Sequence, residues 1–123
     1  MKPDCLPYPP PIRRAALVIT LCLAAMIGYY SLVPPGDVPA PDISDKIRHF
    51  AAYALLAVPA AMWFSPRRLA AWLAVGGYGV LMEIAQGLSG TGRELSALDA
   101  LANMAGAGAG VLLVWIIART RRA

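Results

Sequence analysis

Asp45 and His49 stand four residues apart, a spacing that on a helix stacks a carboxylate beside an imidazole and orients the ring. Lys46 lies next to the first, and Tyr53 one turn beyond the second. Further along, Glu83 and Gln86 put a carboxylate and a carboxamide on one helix face at i, i+3, and Asp99 and Asn103 do the same at i, i+4. Arg93 sits between these pairs, in a link of glycine, serine and threonine. The set suits two kinds of chemistry. In an enzyme, Glu83 or the Asp45–His49 pair is the general base and Arg93 steadies developing negative charge. In a binding site, Lys46, Arg48 and Arg93 meet anionic groups while Glu83, Gln86, Asp99 and Asn103 hold the rest.

Each residue also has a structural reading. Asp42 and Asp45 can cap a helix start, with Lys46 snorkelling to an interface. Glu83 can pair with Arg93, Lys46 or Arg48. Ser96-Ala97-Leu98-Asp99 matches a capping box, and Asn103 can hydrogen-bond a neighbouring helix. A metal held by Asp45, His49, Glu83 and Asp99 is disfavoured, because helical D-x-x-x-H spacing recurs without metal. No metal and no cofactor are therefore expected. The chain carries no serine elbow, no cysteine nucleophile setting and no phosphate-cradling glycine loop.

The elements that must position these side chains are apolar. Of 123 residues 59 % are hydrophobic and only 15 % charged, the composition of a membrane protein. The spans expected are 15–33, 47–64, 69–88 and 98–118, each long enough for a hydrocarbon core of roughly 30 Å. Residues 1–14 and 119–123 are expected to be basic tails, so the domain is a four-helix transmembrane unit over 15–118. A cleaved signal peptide competes for the first run, since Val38-Pro39-Ala40 crudely resembles a cleavage site. The length of the run and the prolines around that site favour a retained helix. Cys5 and Cys22 are read as free thiols, being too few for a disulfide framework.

Orientation follows from charge. The first tail, the turn after the second span and the last tail hold eight of the eleven lysines and arginines. The positive-inside rule puts both termini in the cytoplasm, with Trp63, Trp72 and Trp115 at the cytoplasmic interface. The net charge of +4 does not indicate nucleic acid, because the basic residues flank apolar segments and form no basic face. His49, Glu83 and Asn103 then lie at about the same depth, roughly 5–10 Å below the outer edge. Ionisable groups at that depth face a partner or a water-filled cavity, so one outward-opening cluster is expected, with Glu83 and Arg93 in direct contact. Gly106 and Gly110 form a small-xxx-small stripe, for which Gly76 and Gly79 on the third span are the expected partners.

In order along the chain, Asp45-Lys46, His49-Phe50, Tyr53, Glu83, Gln86, Arg93, Asp99, Asn103, Gly106 and Gly110 resemble the VanZ-like family of small bacterial membrane proteins. The resemblance covers about residues 31–110 and rests on the ordered set rather than on any one piece. It departs in the link, where many members place a proline near the arginine. It implies a multi-pass protein of the bacterial cytoplasmic (inner) membrane with a polar outward-facing pocket. The founding member is associated with low-level resistance to teicoplanin, a glycopeptide that binds cell-wall precursors outside the cell. The partners implied are the lipid bilayer and a lipid-linked envelope precursor or polysaccharide intermediate.

Overall fold

The computed structural model describes residues 8–34, 44–90, 92 and 94–121. These form an all-α protein of four helices, α1 (Pro10–Leu32), α2 (Asp45–Phe64), α3 (Arg68–Leu88) and α4 (Ala97–Thr120). Each helix is long and apolar enough to cross a membrane, so the chain is a multi-pass membrane protein built as a four-helix bundle. Cys5 and the N-terminal part of the expected tail lie outside the described residues; Cys22 is a free, exposed thiol.

The first helix starts earlier than the sequence suggests. α1 opens at Pro10, so Ile12, Arg13 and Arg14 are helical rather than part of an unstructured tail. The prolines that read as helix breakers occupy its first two positions, where the missing N–H has no intrahelical partner to lose and φ is already helical. This placement carries the Arg13 guanidinium to the end of α2, where it donates to the Trp63 carbonyl at 2.9 Å and lies over the indole.

Contacts between named residues set the helix directions. Arg13 meets Trp63, so α1 and α2 are antiparallel. The Tyr78 hydroxyl donates to the Ala24 carbonyl, joining α3 to α1. α1 packs on α2 and α3 and makes no contact with α4, and Ala16 is its one buried residue. Three helices thus form the core and the first lies along its side. Arg13, Arg67, Arg68 and Arg119 gather at one end of the bundle, with Arg68 and Arg119 both stacked on Trp115. Trp72 lies one turn into α3 from Arg68. Its indole N–H turns inward and donates to the Met104 carbonyl at 3.0 Å.

In lipid no hydrophobic force distinguishes a helix neighbour from an acyl chain, so close van der Waals contact must hold the helices. The closest seam is between α2 and α4. A Cβ on Gly106 would collide with the Phe50 carbonyl oxygen, and one on Gly110 with the Ala54 carbonyl oxygen and the Ala57 methyl. Only glycine permits this approach of two backbones. The stripe therefore serves α2 and not Gly76 and Gly79 as expected. Those two glycines do face α4, but they receive side chains: Met104 over Gly76, Asn103 and Tyr53 over Gly79. Pro59 lies buried within α2, beside the small residues Ala57, Ala60 and Ala61.

Candidate functional site

The polar residues of three helices meet at the end of the bundle opposite the arginine cluster. From α2 come Asp45, Lys46, Arg48, His49 and, one turn deeper, Tyr53. From α3 come Glu83 and Gln86, and from α4 Asp99 and Asn103. The α2–α4 seam places them. Gly106 lies against the Phe50 backbone, so His49, the residue before Phe50, and Asn103, one turn before Gly106, face each other across the same gap.

Asn103 orients the imidazole. Its amide Nδ2 donates to the Gly79 carbonyl at 3.3 Å, which turns Oδ1 toward His49 Nδ1 at 2.9 Å. An amide oxygen can only accept, so Nδ1 carries the proton and Nε2 points the other way. There it stands 3.7 Å from Asp45 Oδ2 and 3.7 Å from Asp99 Oδ2. Glu83 Oε1 stands 3.9 Å from Nδ1.

The start of α4 is capped in a divided way. Ser96 Oγ accepts from the Asp99 N–H at 3.2 Å, as a capping box requires. The reciprocal bond is made by another helix: the Ser96 N–H donates to Glu83 Oε2 at 3.1 Å. The local reading of Asp99 as the acidic member of the box is therefore corrected. Glu83 takes that role, and the Asp99 carboxylate is released to face Lys46 Nζ at 3.5 Å and His49. Glu83 also does not pair with Lys46 or Arg48, as one structural reading proposed. Lys46 pairs with Asp99, and Arg48 reaches Asp45 at 2.7 Å along its own helix. Arg93, expected against Glu83, lies outside the described residues, as does Asp42.

The cluster is graded from wet to dry. The Asp45 and Lys46 side chains are about half exposed, those of His49 and Asp99 largely covered, and Glu83 and Asn103 each only 1 % exposed. Tyr53 and Gln86 are also buried. Two oxygens on this floor, Glu83 Oε1 and the Tyr53 hydroxyl, have no hydrogen-bond partner among the described residues. A buried polar atom left unpaired costs about 1–3 kcal/mol, so such atoms mark places where a further group is received.

The sequence-predicted residues Asp45, Lys46, His49, Tyr53, Glu83, Asp99 and Asn103 thus share one cluster, with Gln86 buried one turn beyond Glu83. Two positioning residues were not singled out for the site. The Gly79 carbonyl turns Asn103, and the Ser96 amide holds Glu83. The capping-box motif signals Ser96, but nothing local points to its contact with α3.

Comparison of the chain with models of known protein families, with curated proteins and with solved structures finds no match.

Proposed function

We propose that the chain is a VanZ-like protein of the bacterial inner membrane, with both termini in the cytoplasm, whose cleft binds the polar head of a lipid-linked cell-envelope component. The reading is carried by one observation: among the described residues, Glu83 Oε1 and the Tyr53 hydroxyl are buried without a hydrogen-bond partner, in a polar cluster whose outer part holds Lys46 and Arg48. A lipid-linked precursor has complementary chemistry. Its phosphate is anionic and sits at headgroup level, and its sugar hydroxyls and amides can pair with buried oxygens. The Lys46–Asp99 contact, at 3.5 Å on a half-exposed lysine, leaves that ammonium free to swing to a phosphate. Engaging such a precursor is also the route by which the protein would alter glycopeptide susceptibility.

A second reading has its own support. An imidazole held in one tautomer by Asn103 and flanked by carboxylates is the arrangement of a general base, so a membrane-embedded enzyme acting on the same substrate is the alternative.

The test is to purify the protein with its native lipids and to search by mass spectrometry for lipid-linked phosphates. Enrichment in the wild type, with at least fivefold loss in Lys46→Ala and Arg93→Ala variants that remain folded, is expected. Equal recovery from wild type and variants overturns the reading. Turnover of the recovered lipid, abolished in Glu83→Gln, selects the enzyme.

A further inference from the structure

We propose that Asp45, His49 and Asp99 form a binding site for a divalent transition-metal ion of the zinc or manganese class. The site goes beyond the lipid-binding reading and does not rest on it.

The geometry begins with the imidazole. Because Asn103 Oδ1 accepts from Nδ1–H, the neutral ring has its lone pair on Nε2, directed at the rim. The Asp45 and Asp99 carboxylate oxygens stand beside that lone pair, each 3.7 Å from Nε2. Two ligand atoms about 2.1 Å from a shared ion lie about 3.4–3.7 Å apart at bond angles of about 110–120°. All three atoms lie within 4.8 Å of one another, and the half-exposed Asp45 carboxylate can rotate to close the remaining edge. Two ligands come from adjacent turns of α2 and the third from α4, whose approach is fixed by the Gly106 and Gly110 seam. The two ligands on α2 therefore face a third ligand held by a different, rigid element.

An independent observation lies behind the ring. Glu83 is 1 % exposed, and its Oε1 accepts no hydrogen bond among the described residues while facing His49 Nδ1 at 3.9 Å. A carboxylate and an amide oxygen behind the distal nitrogen are the usual outer partners of a metal-bound histidine, fixing its tautomer and raising its basicity. Charge points the same way. Among the described residues of the cluster three carboxylates, Asp45, Glu83 and Asp99, face two permanent cations, Lys46 and Arg48. A partly lipid-embedded site with surplus negative charge is stabilised by a further cation at Nε2.

The donor set selects the ion. One imidazole and two carboxylates suit zinc, manganese or ferrous iron better than magnesium or calcium, which prefer all-oxygen sites. With three protein ligands and a wet rim, the remaining positions are open to water or to a ligand oxygen. The competing occupant of Nε2 is a proton, which would make an imidazolium bridging the two aspartates.

The test uses the full chain in lipid nanodiscs, stripped with EDTA and titrated with Zn²⁺ alone, with no lipid-linked ligand added. One Zn²⁺ per chain is expected, and Co²⁺ in its place should give the visible absorption of a nitrogen- and oxygen-ligated ion. His49→Gln and Asp45→Asn should each weaken binding at least tenfold, whereas Glu94→Gln, on the exposed link, should not change it. Asp45 is at the rim, so its variant keeps the test decisive if His49→Gln fails to fold. Absence of stoichiometric binding, or equal affinity in Asp45→Asn and wild type, overturns the site and leaves the proton as the occupant. Neither result depends on whether a lipid-linked precursor binds.

Discussion

His49 Nδ1 and Asn103 Oδ1 lie 2.9 Å apart across the parallel α2–α4 seam, next to the point where Gly106 rests on the Phe50 carbonyl. The packing of the bundle and the orientation of its one histidine are therefore a single structural fact. Four predictions follow from that seam and its surroundings.

Asn103→Ala removes the acceptor that selects the His49 tautomer and leaves the Gly79 carbonyl with one bond fewer. Polar contacts between membrane helices contribute about 0.6–1.7 kcal/mol each, so a stability loss of about 1–2 kcal/mol is expected. The sharper readout is the nitrogen NMR signal of His49. In the wild type Nδ1 should be the protonated nitrogen, and in the variant that preference should weaken. An unchanged spectrum would show that Asn103 does not orient the ring.

Gly106→Ala should destabilise the bundle by about 1–3 kcal/mol, the range for overpacking a close contact, because the added methyl meets backbone that cannot swing aside. Gly77→Ala is the control. No atom lies within 4 Å of its added Cβ, and helix propensity favours alanine. Thermal unfolding in mild detergent should separate the two, and matching midpoints would remove the seam as the closest packing in the fold.

Glu83→Gln keeps an oxygen for the Ser96 N–H and should fold with a stability change under about 1 kcal/mol. Glu83→Ala leaves that N–H unpaired and opens a cavity, so about 2–4 kcal/mol is expected. Chemical unfolding of both variants checks this. Equal, large losses would mean that the charge of Glu83, rather than its hydrogen bond, holds the start of α4.

Reporter fusions after Ala40, Arg68, Thr91 and Ala123 should read outside, inside, outside, inside. The direction rests on the four arginines gathered at one end of the bundle. A phosphatase signal at Arg68 would invert the molecule and put the polar cleft in the cytoplasm.

Much of this was legible in the chain itself. Long, predominantly apolar runs separated by basic or acidic turns pointed to four helices, because a segment that crosses lipid must be both apolar and about 20 residues long. The few ionisable residues inside those runs marked the polar cluster, and counting 1.5 Å per residue from the helix ends put His49, Glu83 and Asn103 at one depth. Their contacts agree with that depth. The early start of α1 was hidden because a proline reads as a breaker until its place in the first turn is known.

The sequence by itself determined which face of each helix is special, since helical periodicity is local: it aligned Gly106 with Gly110 and Asp99 with Asn103. It did not determine which helix that face meets. In lipid every apolar flank has the same affinity for its surroundings, so adjacency is settled by where two backbones fit most closely. That decision belonged to the tertiary structure. It set Gly106 and Gly110 against Phe50 and Ala54 rather than against α3. It passed the capping of Ser96 to Glu83, sixteen residues before Asp99 in the chain, and so freed Asp99 to join His49, Asp45 and Lys46 at the rim.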